Sequence, residues 1–306
     1  MKIFKAVILI LFILGLLFSS FISGAIIEKF KLYPITEKLS LFLENNGLSL
    51  LRAKVKDQVT GTDSIAEKFI QSNYYDLRLI KHERPSYDDY GGIDILNGKL
   101  LYIDKKGLGW IKQNIQFKKI IKHPIQNNES EFIDIFGEGL TYSYGVKDIL
   151  VVKESSSNSL YVSSTNFDQF NQCYFISVFK TEIDFKSKQI DEWSNVFNSF
   201  PCLKKHNLKE YAGTSAGGRL VHDEKNIYLS IGDFYFDGVN EIDITSVKNS
   251  TYGKLIQITK SDMTASVIAS GLRNPQGLFI DKKGFFESEH GPQGGHEVNF
   301  ISFDER

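Results

Sequence analysis

Residues 217–233 read GGRLVHDEKNIYLSIGD: a short apolar run, an Asp-Glu-Lys-Asn turn and a second apolar run that ends on Gly232-Asp233. Two such runs joined by turn residues predict an antiparallel pair of strands. The second half of this form recurs along the chain, as NGKLLYID at 97–104, SNSLYVSS at 157–164 and DKKGFFESEHG at 281–291. The aromatics Tyr102, Tyr161, Tyr228 and Phe286 mark the repeats, at separations of 59, 67 and 58 residues. Each repeat also has an apolar strand just upstream, namely GGIDIL, VKDILVV, AGGRLVH and PQGLFI. A unit of about 60 residues holding several strands points to β-propeller blades, because one blade cannot bury both of its faces and must stack on its neighbours. Sandwiches share the signature of short strands at regular spacing and stand as the alternative all-β reading.

Composition agrees with sheet. Of 306 residues 42% are apolar, enough for a core, and the 24 Phe and 14 Tyr favour pleated surfaces. Lys and Arg total 36 against 37 Asp and Glu, a net charge of -1. So balanced a chain has no basic field with which to grip a phosphate backbone, and nucleic acid is excluded as the expected partner.

The first 27 residues differ from the rest. After the lysines of MKIFK the chain is uncharged from Ala6 to Ile27, long enough to span a bilayer. An uncleaved anchor and a signal peptide cut after Ala25 are both compatible with it, and each places the body outside the cytoplasm. The expectation is a membrane-anchored protein with its body in the periplasm or exterior, or a secreted one after cleavage. Residues 28–84, with ITEKLSLFLENN and DSIAEKFIQSN in helical spacing, are expected to be a helical or mixed spacer, and residues 85–306 to be the blades. Only Cys173 and Cys202 are available, so no zinc cluster or disulfide-rich scaffold is expected. A hairpin made by CYFISVFKTEID and IDEWSNVF would bring its ends together and close a disulfide in an oxidising compartment; two separate buried thiols are the alternative.

The densest chemistry lies in 217–299. Arg273-Asn274-Pro275-Gln276-Gly277 places a cation and two amides on a rigid turn. Gly291-Pro292-Gln293-Gly294-Gly295 exposes backbone carbonyls between Glu289, His290, His296 and Glu297. Carbonyl and carboxylate oxygens are the ligands that calcium prefers, and Arg with Asn suits an anionic, oxygen-rich ligand.

Together GGRLV…YLSIGD, YGKL, GLRNPQG and EHGPQGG-x-EVN resemble the glucose and sorbosone dehydrogenase family, also called soluble aldose sugar dehydrogenases, over residues 213–301. Upstream, YGVKDILVVKESSSNSLYVSST is similar to an earlier blade of that family. The resemblance implies a six-bladed β-propeller that uses pyrroloquinoline quinone (PQQ) and calcium. Its implied activity is oxidation of an aldose at C1 to the lactone, with a bacterial electron acceptor downstream. It assigns quinone contacts to Arg273 and Asn274, with His290 lining the pocket; the active-site calcium to the carbonyls of Gly291 and Pro292; and a second, structural calcium to Glu297. The family histidine that serves as catalytic base falls at Ser215, and the family glutamine beside the cofactor falls in the Ser143-Tyr144-Gly145 region. A hydroxyl does not titrate near neutral pH as imidazole does. The alternative function is therefore a non-catalytic exported propeller that binds carbohydrate or protein. Four recognisable units against the family's six lead to the expectation that the propeller is incomplete in this sequence.

Overall fold

The computed structural model describes residues 67–71, 76–80, 91–113, 116–153, 158–184, 189–190, 192–205, 211, 213–238, 243–291 and 294–305. The chain divides into two units, Met1–His82 and Glu83–Arg306. In the first, β1 (Glu67–Gln71) pairs antiparallel with β2 (Asp76–Ile80), Glu67 opposite Ile80. The helix expected over DSIAEKFIQSN is thus a strand across 67–71. The reason is tertiary: DLRLI alternates polar and apolar residues with period two and supplies EKFIQ with a pairing partner that outweighs its local helical spacing. Residues 1–27, expected to form a membrane or signal segment, lie outside the described residues; among those described, no helix is long and apolar enough to cross a membrane.

Among the described residues the second unit is all-β and antiparallel, with four successive sheets. Sheet I holds β3 (Gly91–Leu96), β4 (Lys99–Asp104), β5 (Gly109–Gln113) and β6 (Gln116–Ile121) in order. Helix α1 (Glu129–Phe136) and a 3-10 turn (Glu138–Ser143) lead to sheet II. There β7 (Val146–Lys153), β8 (Asn158–Asp168) and β9 (Cys173–Asp184) pair in order, and β10 (Gln189–Ile190), β11 (Ser194–Asn198) and β12 (Leu203–Lys204) each return to β9. Sheet III is β13 (Gly217–His222), β14 (Asn226–Ile231), β15 (Lys254–Thr259) and β16 (Ala265–Ser270). Sheet IV is β17 (Pro275–Ile280), β18 (Gly284–Glu289) and β19 (Glu297–Ser302). The four repeated segments are β4, β8, β14 and β18, the second strand of every sheet, and the apolar runs upstream of them are the first strands.

Period-two alternation tells each sheet which neighbour to bury. On β8, Leu160 and Val162 join Leu96, Leu101 and Ile103 of sheet I in one core, whereas Tyr161 on the opposite face joins the core shared with sheet III. On β14, Ile227, Leu229 and Ile231 face that same shared core, while Tyr228 turns the other way to Phe285 of sheet IV, ring centroids 4.7 Å apart. Side chains also stitch the first strands together. Asp94 of β3 accepts the Val151 N–H of β7 at 2.6 Å, and Asp148 of β7 accepts the Leu220 N–H of β13 at 3.0 Å. Arg219 of β13 donates through Nε to the Gln276 carbonyl of β17 at 2.7 Å.

The cysteine hairpin forms. Leu203 and Lys204 pair with Tyr174 and Cys173, which brings the Cys173 and Cys202 Cα atoms to 5.6 Å, and the disulfide closes. With the cysteines 29 positions apart in sequence, the loop-entropy view puts its stabilisation at about 3.5 kcal/mol. The outward faces of the two terminal sheets stay apolar: Ile93 and Ile95 on sheet I, and Phe279, Phe286, Val298 and Phe300 on sheet IV, are all exposed.

Candidate functional site

The chain turns from sheet III into sheet IV through Gly271 to Asn274, and one carboxylate holds that turn. Glu289, the last residue of β18, accepts the backbone N–H groups of both Arg273 (2.5 Å) and Asn274 (3.1 Å) on a single oxygen, Oε2. The Asn274 carbonyl in return accepts the His290 N–H at 3.2 Å. Proline at 275 fixes the entry to β17, so Arg273 and Asn274 are held beside His290 by short covalent and hydrogen-bonded paths. Arg273 donates from Nη1 to the His290 carbonyl at 2.9 Å and lies 5.0 Å above the centroid of the Tyr235 ring. Its Nε is buried and has no hydrogen-bond partner among the described residues.

Tyr235 reaches that position by an unusual backbone. Phe234 and Tyr235 are consecutive left-handed residues, φ 53° and 62°, and neither is glycine. Such conformations cost about 1 kcal/mol or more each and persist where surrounding bonds determine them. Here the Asp233 carboxylate accepts the Tyr235 N–H at 2.7 Å, and the Phe234 N–H donates to the Ser215 carbonyl at 3.1 Å. The Ser215 hydroxyl donates to Asp233 Oδ1 at 3.1 Å, and both side chains are buried. Burial raises the Asp233 carboxyl above the usual carboxylate range, against the Tyr235 N–H, the Ser215 hydroxyl and Arg273, which stabilise its charge.

These elements enclose a cleft of ≈ 390 Å³ lined by Thr214, Tyr235, Arg273, Asn274, Gln276, His290 and Gly291. Gln276 bridges its floor, donating to Asn274 Oδ1 (2.5 Å) and to the Thr214 carbonyl (3.3 Å). Next to the cleft, Lys147 of β7 donates to the carbonyls of Ser143 and Gly213, anchoring the 3-10 turn Gly213–Ser215. Burial takes its amine down to about 7. Gly218 is required for this path, since a Cβ there would lie 2.5 Å from Lys147 Cβ.

Of the residues singled out from sequence, Arg273, Asn274, His290 and Gly291 meet in this cleft, and Ser215 lies directly behind Thr214 in it. Glu297 opens β19, exposed and paired in register with Glu289; its Oε2 accepts the Asn299 amide at 3.4 Å. Pro292 lies outside the described residues, as does His206. His222 closes β13 opposite Ile227, bonded to the Asp223 carbonyl at 2.9 Å, and is not among the residues lining the cleft. No group of three or more His, Cys, Asp or Glu stands in metal-holding arrangement among the described residues. Tyr235 and Lys147 were not picked out from sequence: an exposed-looking tyrosine in a Phe-Tyr-Phe run and a lysine on an apolar strand carry no local mark of their role.

Glu287, two residues before Glu289 on β18, carries a further consequence. It is 1% exposed; Oε2 accepts the Asn299 amide at 3.1 Å, while the buried Oε1 has no partner among the described residues. Burial, resisted by that amide and reinforced by Glu289 and Glu297, raises its carboxyl to about 7. An unfolded glutamate titrates near 4.3, so between about pH 4.5 and 7 the native chain keeps a proton that the unfolded chain has lost, and stability falls as pH rises. Glu287→Gln is therefore expected to match the parent near pH 4.5 and exceed it at pH 8 by up to about 3 kcal/mol. Denaturant melts at the two pH values check this; an equal offset at both overturns it.

The architecture has solved counterparts. A glucose dehydrogenase matches with a TM-score of 0.53 at 19% identity, over 69% of this chain and 65% of that one. The soluble aldose sugar dehydrogenase of Escherichia coli, in its apo-form, matches with a TM-score of 0.52 at 20% identity, over 70% and 61%. The chain thus spans under two thirds of the length of these two relatives, and at such identity they establish a shared β-propeller-like fold. No curated protein matches the sequence. The family model for glucose / sorbosone dehydrogenase matches residues 139–305, the stretch that contains sheets II to IV and every residue of the cleft, and the chain belongs to that family.

Proposed function

We propose that the chain binds an anionic quinone, PQQ, together with an aldose in the Arg273–His290 cleft, and that its reaction is oxidation of the sugar at C1 to the lactone. The observation that carries this reading is Arg273: a guanidinium fixed by the His290 carbonyl and the Tyr235 ring, with a buried Nε that has no partner among the described residues, at the edge of a cleft of small-molecule size. Asn274 and His290 add directed donors for an oxygen-rich ligand. Gly291 fits a hard cation nearby. A Cβ on it would lie 2.0 Å from the Gly294 carbonyl oxygen and 2.5 Å from that of Gly295, so the loop packs carbonyls where calcium would find oxygen ligands. Gly291 and Pro292 would hold that ion by carbonyl, and Glu297 a second one by carboxylate. When bound, the calcium-loaded quinone supplies the hydride acceptor. The chain's own task is to orient the sugar and to take the C1 hydroxyl proton. Ser215 is poorly suited to the second part, since its buried hydroxyl already donates to Asp233. This favours a second reading, a body that binds sugar and quinone with little turnover. The test is quinone binding measured apart from dye-linked aldose oxidation, for the parent and for Ser215→His. In our reading sheets I to IV are four blades of the six-bladed propeller type of that family.

Export belongs to the same proposal, supported by the uncharged stretch 6–27 and the Cys173–Cys202 disulfide. Membranes from cells making the full chain, washed with carbonate, are expected to retain it. Release of a body that begins at Ile26 would replace the anchor by a cleaved signal.

A further inference from the structure

We propose that His290 and His296 form a binding site for a borderline divalent cation of the zinc class at the rim of the cleft. The hairpin ladder creates the pair. Glu289 of β18 and Glu297 of β19 are directly opposite in register, so the residues just beyond them, His290 and His296, face each other across the mouth of the loop. Gly294 and Gly295, with φ of 93° and 67°, turn the chain back, and the missing Cβ of Gly291 lets the loop close on itself. The two imidazoles stand nearly perpendicular, 83° between planes and 5.0 Å between centroids, with Nδ1 facing Nδ1 at 3.3 Å.

That separation is informative. Two Zn–N bonds of about 2.0–2.1 Å meeting at a tetrahedral angle hold their nitrogens about 3.3 Å apart. The spacing also suits a hydrogen bond from one ring to the other. A cation takes the place of the bridging proton when both rings carry theirs on Nε2. Imidazole nitrogen selects zinc or copper over calcium, which distinguishes this site from the carbonyl and carboxylate oxygens of the same loop. Glu289 and Glu297, paired in register on the two strands behind the pair, place carboxylates near it. Both rings are exposed, and no third His, Cys, Asp or Glu among the described residues completes a closed set. The remaining coordination positions are therefore open to water or to an oxygen of a molecule in the cleft, which His290 also lines.

Calorimetric titration of the full chain with zinc alone, in excess calcium to saturate the oxygen sites, tests the proposal. One zinc per chain is expected, with at least tenfold weaker binding in His290→Ala and in His296→Ala. His222→Ala, whose ring is held by the Asp223 carbonyl, is expected to bind as the parent does. Cobalt in place of zinc should give the intense visible bands of a tetrahedral ion, lost in either rim variant. Because both side chains are exposed, zinc-free melting of these variants should match the parent and exclude misfolding as the cause. No zinc binding by the parent, or undiminished binding in both rim variants, overturns the site.

Discussion

Glu289→Ala is expected to destabilise the second unit by about 3–6 kcal/mol, because two backbone donors lose a charged acceptor and each such bond contributes about 1.5–3 kcal/mol. In a body of this size that corresponds to a fall in melting temperature on the order of 10 °C. The carboxylate is 9% exposed, and the N–H groups of Arg273 and Asn274 converge on its one oxygen. Water does not easily replace it there. Glu289→Gln keeps an acceptor of the same reach without the charge and is expected to lose roughly half as much. Differential scanning calorimetry reads the global effect, and hydrogen exchange at the Arg273 and Asn274 amides reads the local one. A melting shift under 2 °C with unchanged exchange would mean that Pro275 and the strand ladder alone hold the turn. The prediction also bears on binding, since loosening this turn releases Arg273 from the His290 carbonyl and from the Tyr235 ring.

The fold was legible because its signal is periodic. Alternation in SLYVSS and NIYLSI directs successive side chains to opposite neighbours, and that pattern survives in the sequence whatever the loops do. What was not legible is what depends on distant partners. EKFIQ has helical spacing on its own and becomes a strand only beside DLRLI. Helix α1 is a single eight-residue element before sheet II, too short to stand out in a chain of strands, and Phe132 fixes it by stacking on Tyr144 with centroids 4.3 Å apart. Both cases are tertiary packing overruling local preference.

At the site, the short motif turns were legible and their supports were not. RNPQG and HGPQGG name Arg273, Asn274, His290 and Gly291 directly, since turn chemistry and ligand chemistry use the same residues. That Glu289 clamps the first turn depends on the β17–β18 register, and that Tyr235 lies under Arg273 depends on two left-handed residues in the sequence Phe-Tyr. Nothing local announces φ above zero at aromatic positions. Lys147 is the same kind of case: an amine buried between carbonyls from two separate turns, made possible by Gly218 on another sheet.

Ser215→His carries the largest expected change in chemistry. A positioned general base contributes about 10² to 10⁴ in rate, and this chain has a hydroxyl at the position where the family resemblance puts an imidazole. The surroundings are ready for the ring. Asp233, 3.1 Å from the serine oxygen, would accept one imidazole N–H and hold the other nitrogen as a base, the orienting role a buried carboxylate takes beside catalytic histidines. Thr214, the preceding residue, already lines the cleft, so a longer side chain from 215 has a short way to reach it. The parent, loaded with calcium and PQQ, is expected to bind the quinone and to oxidise glucose weakly or not at all; the variant is expected to gain at least about 100-fold. Ser215→Asn, polar but without a titrating group, should gain nothing. Parent turnover of order 10 per second, a typical enzymatic value, would show that another group takes the proton. Quinone binding without any gain in the histidine variant would instead leave the cleft as a binding site whose chemistry does not turn on residue 215. If neither protein binds the quinone, the reading of Arg273 as its partner fails first, independently of the base.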